Sequence, residues 1–237
     1  MVTGSDFLPL YDIPSRTWED ARDALVNGDG GWLAKKTDRE RRLNEHFSYL
    51  VNYAGEALHR PAGLVIDIGP GCGETLEIAR YYGHAHLGID AETGDGGMGD
   101  RYLRYCRLMH ERQQLNVEYC GLFGFLKNCM DGKRHTFADT VLINMRGSIE
   151  QCLHEYMLGA PHHEHQDANQ LTWNIGGELR DQFVHMLQMY YRILRPGGVV
   201  LIHANGTGDD KNMVEYSHMI RDVAQECGLR LTYSREP

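Results

Sequence analysis

The 237-residue sequence has no C-x-x-C pair, no apolar run of membrane length and no internal repeat. Its cysteines (Cys72, Cys106, Cys120, Cys129, Cys152 and Cys227) are scattered. That excludes the usual zinc-finger, thioredoxin-like and iron–sulfur spacings and fits reduced thiols. No charged segment followed by an apolar one opens the chain, so the expectation is a soluble, cytoplasmic protein without a membrane partner. Basic residues are outnumbered, 24 Lys and Arg against 33 Asp and Glu, for a formal charge of −9. Such a balance argues against a nucleic-acid partner that tracks phosphates. The one dense basic run, Lys35 to Arg42, alternates with acids and reads as a solvated helix face. The length suits one domain with a substantial core, or one domain with a helical appendage.

What is present begins at Val65-Ile66-Asp67-Ile68-Gly69-Pro70-Gly71-Cys72-Gly73-Glu74. An apolar strand ends in an acid, a glycine-rich turn follows, and a helix starts at once, so backbone can approach a ligand where helix N–H groups point outward. Cys72 reads as a small filler within that turn. Farther on, Leu87-Gly88-Ile89-Asp90 closes a second strand with another acid, placed where a ribose offers two hydroxyls. A dinucleotide fingerprint wants G-x-G-x-x-G, but the residue three beyond Gly71 is Glu74. A negative side chain there would disfavour a pyrophosphate, whereas a cationic aminoacyl-nucleoside meets no such objection.

Asp67-x-Gly69-x-Gly71-x-Gly73 resembles the first motif of the class I S-adenosylmethionine-dependent methyltransferases, and Asp90 resembles their ribose-binding acid. Arg195-Pro196-Gly197-Gly198 and the apolar run Val199–Ile202 resemble their L-[RK]-P-G-G turn and fifth strand. The resemblance covers about residues 62–234. It implies S-adenosyl-L-methionine as cofactor: Asp67, Gly69, Gly71 and Gly73 around the methionine part, Asp90 on the ribose, and Cys120, Gly121 and Leu122 flanking the adenine.

The pattern predicts an α/β fold: a Rossmann-like, mostly parallel sheet with helices on both faces, preceded by an N-terminal helical lid or arm over residues 1–60. Predicted strands are 64–68, 86–90, 117–120, 138–144, 199–203 and 229–233. Predicted helices are one from Ser15, one capped by Thr37 or Asp38 with Leu43, Phe47, Leu50, Val51 and Ala54 in a stripe, then 75–82, 101–115, 121–130, 177–194 and 210–227. Gly94 to Asp100 reads as a flexible loop beside the cofactor. The methyltransferase domain would span 61–237, with an acceptor-loop insertion at about 147–176. Family members usually end in an antiparallel hairpin, which this chain leaves possibly incomplete.

The acceptor side is less defined. Asn144-Met145-Arg146-Gly147 follows the fourth strand where base-methylating enzymes show [DNS]-P-P-[YF], and a Pro-Cys nucleophile is also missing. Both absences point toward a small-molecule substrate. Asn144 either orients substrate or cofactor, or bonds its own backbone. The insertion carries His154, His162, His163 and His165. His165 or His162 acts as general base on an acceptor hydroxyl, or a histidine pair with a carboxylate holds a divalent metal, or the segment is a polar surface loop. The first reading is carried forward, with no metal ligand assigned. His203 and Trp32 read as packed residues before functional ones, and Tyr190-Tyr191 as ordinary core. The expected activity is methyl transfer to a hydroxyl of a sugar or natural product, by a possible homodimer. A nicotinamide-dependent oxidoreductase and a non-catalytic cofactor- or metal-binding subunit are the rival readings.

Overall fold

Leu64–Ile68 (β1) is an unbroken apolar strand around Asp67, and four of its five residues are buried. Burial on both faces is what a central parallel strand requires. β1 pairs in parallel with β2 (Ala85–Asp90), and β2 pairs in parallel with β3 (Val117–Tyr119). The register sets Asp67 beside Gly88 and Asp90 beside Tyr119, so the acids and the residues that follow them share one edge. These strands come from a computed structural model that describes residues 38–60, 62–91, 97–120, 122–132, 138–144, 177–203 and 221–230. The chain divides into two compact units, Met1–Leu122 and Phe123–Pro237.

In the first unit, α1 (Arg39–Leu58) starts at Asp38, whose carboxylate accepts the Arg41 N–H at 3.1 Å as an N-cap. Leu43 and Leu50 of the predicted stripe are buried, Phe47 stacks on Tyr82, and Leu58 is buried as well; the side chains of Val51 and Ala54 lie outside the described residues. The basic run departs from the solvated-face reading. Arg42 is buried against Glu74, and Arg39 pairs with Glu77 at 2.5 Å, while Arg41 stays in solvent. These partners lie on α2 (Glu74–Tyr81), the helix that follows the glycine turn. Gly83, at φ 81°, ends α2 with the Gly83 N–H bonded to Arg80 and the His84 N–H to Ala79. His84 then staples the end of α1 to the start of β1. Its Nε2–H donates to the Leu58 carbonyl at 2.8 Å, and its Nδ1 accepts the Gly63 N–H at 3.2 Å. α3 (Gly97–Gln113) starts earlier than read, taking in Gly97, Met98, Gly99 and Asp100 from the expected loop.

In the second unit, β4 (Ala138–Asn144) and β5 (Leu194–His203) form a parallel pair. The ladder passes from Ala138↔Leu194 to Thr140↔Val199, so Arg195 to Gly198 bulge out of it, and Gly197 takes φ 80°. The expected turn thus sits inside a longer strand. α4 (Leu122–Met130) buries Leu122, Phe125 and Leu126 at helical spacing. α5 (Gly177–Ile193) buries Met186, Leu187, Met189, Tyr190 and Ile193. Tyr191 is 57% exposed, against the reading of both tyrosines as core: neighbours on a helix point about 100° apart. Residues 221–226 are helical, with Val223 and Ala224 buried. Leu229 and Arg230 belong to no strand, and the rest of the expected last strand lies outside the described residues.

Candidate cofactor site

Three glycines make the turn after β1: Gly69, Gly71 and Gly73 adopt φ of 67°, 57° and 90°. L-residues with side chains rarely take such angles. At Gly73 a side chain would also crowd its neighbours, because a Cβ would lie 2.3 Å from Leu115 Cδ1 and 2.6 Å from Gln113 Oε1. The Gly69 N–H bonds the Ile89 carbonyl at 2.8 Å and the Gly73 N–H bonds Pro70 at 2.9 Å, so the turn is laced to β2 and to itself. Gly73 caps α2 without any side-chain hydrogen bond. Cys72 is buried with Tyr105, Cys106 and Met109 against α3, the filler role expected of it.

The acids are where the site's electrostatics are set. Asp67 is wholly buried, and neither carboxylate oxygen has a hydrogen-bond partner among the described residues. Burial, then the neighbouring charges of Asp90 and Glu74, push its pKa far above the usual carboxylate range. Thr75 opposes this without reaching a hydrogen-bonding geometry. Asp90 is pushed up to about 6 by burial, against the Ala91 N–H, which it accepts at 2.9 Å, and the charge of Arg107. Two acids lie at the carboxyl ends of adjacent strands, and one of them has no hydrogen-bond donor among the described residues.

Glu74 plays a different part from the one its position suggested. It is buried, and both its oxygens engage the Arg42 guanidinium, through Nε and through Nη2 at 3.1 Å. Burial alone would raise its pKa, but Arg42 overrides that and holds it below the usual range. Its charge is therefore spent on holding α1 and does not repel a phosphate, so the case against a pyrophosphate passes to Asp67 and Asp90.

His110 of α3 escaped the sequence reading. Its Nε2 lies 2.8 Å from the Gly71 carbonyl and its Nδ1 lies 2.8 Å from the Tyr119 hydroxyl. Arg107 caps the same Tyr119 ring at 4.3 Å and donates to the Ala91 carbonyl at 3.4 Å. Among the other candidates, Cys120 is exposed directly after β3 and Leu122 is buried at the start of α4. Asn144 ends β4 opposite His203 in the ladder. Gly121, His162 and His165 lie outside the described residues, as does Trp32. Among the described residues no group of three His, Cys, Asp or Glu could hold a metal, and no helix is long and apolar enough to cross a membrane.

The chain's backbone aligns with a crystal structure of an S-adenosylmethionine-dependent methyltransferase from Archaeoglobus fulgidus. The TM-score is 0.50 at 16% identity, over 85% of this chain and 75% of that one. The fold is that of the class I S-adenosylmethionine-dependent methyltransferases. Weaker likenesses include a methyltransferase from Agrobacterium tumefaciens, with TM-score 0.44, 15% identity, and 76% of this chain on 49% of that one. An O-methyltransferase family protein from Burkholderia thailandensis has TM-score 0.41, 14% identity, and 94% of this chain on 65% of that one. No family model matches the sequence, and no curated protein matches it either. Within the methyltransferase fold, the glycine turn, Asp67 and Asp90 occupy the carboxyl ends of the first two strands, where open α/β sheets bind ligands.

Proposed function

We propose that this protein is an S-adenosylmethionine-dependent methyltransferase acting on a small polar acceptor, with a hydroxyl of a sugar or natural product favoured. The observation that carries the reading is the buried carboxylate of Asp67, unpartnered among the described residues, beside a turn of three glycines at positive φ. A cationic ligand with ammonium donors supplies what that carboxylate lacks, and ribose hydroxyls supply donors to Asp90. A pyrophosphate would add negative charge beside Asp67, whose charged form burial and the charge of Asp90 already disfavour.

When bound, the cofactor supplies a sulfonium-activated methyl group. Asp67 and the turn from Gly69 to Gly73 would hold its methionine end, Asp90 its ribose, and Cys120, Gly121 and Leu122 would border its base. A methyl transfer from sulfur needs no acid for the leaving thioether, so the chain's remaining tasks are alignment, exclusion of water and removal of the acceptor's proton. His165 or His162 is assigned that last task, and Asn144 a place on the acceptor or cofactor side. Replacing both histidines with Ala is expected to lower turnover by orders of magnitude with cofactor affinity nearly unchanged, and wild-type turnover would remove the assignment.

Calorimetry with S-adenosylmethionine and NAD side by side tests the whole reading. The expected result is saturable binding of the sulfonium compound alone, weakened roughly tenfold or more in Asp67→Asn, since hydrogen bonds to a charged group are worth about 1.5–3 kcal/mol. The same variant should be more stable than wild type. Asp67 has a native pKa raised above its unfolded value, so its contribution to stability is full at low pH and lost as pH rises through the native pKa. Asparagine does not suffer that loss. Tighter binding of NAD, or no binding of either ligand, sinks the reading.

A further inference from the structure

We infer that His110 is a positioning residue: bridging the Gly71 carbonyl and the Tyr119 hydroxyl, it fixes the glycine turn against the end of β3 and so sets cofactor affinity without touching the cofactor. The inference rests on the function proposed above. Its geometry is that of a single tautomer. A carbonyl only accepts, so Nε2 carries the hydrogen across the 2.8 Å to Gly71. Nδ1 is then bare and accepts from the Tyr119 hydroxyl, also at 2.8 Å.

The turn needs such an anchor. Its glycines have no side chains with which to lock the turn, and their positive φ values leave the backbone few substitutes. His110 reaches in from α3, is 2% exposed, and lies under Gly73 as well, where a Cβ would stand 3.2 Å from its ring. Tyr119 neighbours Asp90 in the β2–β3 ladder, and Arg107 covers the Tyr119 ring while bonding Ala91. The methionine end of the crevice and its ribose end are thus joined through one imidazole. A protonated ring would put a hydrogen on Nδ1 and reverse that bond, making the Tyr119 hydroxyl the acceptor. Burial opposes that protonation, lowering the pKa to about 4, with the Gly71 bond and the Glu74 charge pulling upward and Arg107 downward.

The test uses the whole 237-residue chain, with S-adenosylhomocysteine as probe, and three variants. Tyr119→Phe loses only the Nδ1 bond, His110→Gln keeps a donor for Gly71, and His110→Leu loses both. Affinity should fall in that order, with His110→Leu weaker than wild type by roughly tenfold or more and His110→Gln restoring part of the loss. Adding Tyr119→Phe to His110→Leu should cost nothing further, because the bond is already gone. Gly83→Ala, destabilised away from the site, should bind like wild type. Independently of any ligand, long-range nitrogen–proton NMR of the free protein should show His110 protonated on Nε2 alone at neutral pH. An Nδ1–H tautomer, or wild-type affinity in both His110 variants, overturns the inference while the functional reading stands. A wild-type protein that binds no S-adenosylhomocysteine overturns both.

Discussion

Replacing Gly73 with alanine separates two costs that a glycine turn usually confounds. At φ 90° any side chain is strained, and at this position it also collides. Gly83 is the matched control: it has φ 81°, and a Cβ there meets nothing within 4 Å among the described residues. Both variants should lose about 1–2 kcal/mol for placing an L-residue in the left-handed region. Gly73→Ala should lose about 1–3 kcal/mol more from overpacking. The lower half of that range is expected. Leu115 Cδ1 and Gln113 Oε1 are ends of side chains, and the Gln113 amide has no hydrogen bond among the described residues. His110, anchored at both ring nitrogens, has least room to give. Against a typical stability of about 5–15 kcal/mol, both variants should still fold. Urea titration at one pH, with unchanged m-values, should give Gly73→Ala a lower midpoint than Gly83→Ala. Equal midpoints would refute the crowding argument, since backbone strain would then account for everything.

Asp90 gives a pH signature. Its native pKa of about 6 exceeds the ordinary 3.8, so its share of stability is full below about pH 4 and gone above about pH 6. Ribose hydroxyls favour the charged form, so S-adenosylhomocysteine affinity should rise through about pH 6, with proton release seen by calorimetry in two buffers, and Asp90→Asn should flatten the rise. The buried Arg42–Glu74 pair predicts a non-additive pair of substitutions. Arg42→Met strands a buried carboxylate at a cost of about 3–5 kcal/mol, whereas Arg42→Met combined with Glu74→Gln should recover much of it. Urea midpoints for the two variants check this, and equal losses would mean the pair does not hold α1 in place.

How much of this was legible depends on whether the signal was local. The β1 strand, the glycine turn and Asp90 could be read because a continuous apolar run, glycine's freedom and a strand-end acid each act within a few residues. The Asp38 cap was one of two offered. Arg42 was misread because charge alternation along a helix does not reveal a buried acid 32 residues away. A clue was present: Arg39, Arg42 and His46 share a face beside Leu43 and Leu50, where solvated charges have no business. His110 belongs with Tyr105, Cys106, Met109 and Gln113 on one buried stripe. A histidine there announces a hydrogen-bond requirement but not its partners, which only the tertiary structure supplies. The start of α3 was missed because Gly97 and Gly99 favour turns locally, and helix propensity is a weak prior.

The ion pairs of α1 carry a practical lesson for anyone dissecting this chain. Glu74 and Glu77 sit in the first turn of α2, just after the glycine turn, yet Arg42 and Arg39, which help make their interment tolerable, arrive from upstream of β1. A fragment starting at residue 61 would keep every signature motif and lose Arg42 and Arg39, with Arg80, 3.8 Å from Glu77, left behind. It would be expected to emerge from expression as aggregate at neutral pH, and its failure to bind a nucleoside would say nothing about the crevice itself.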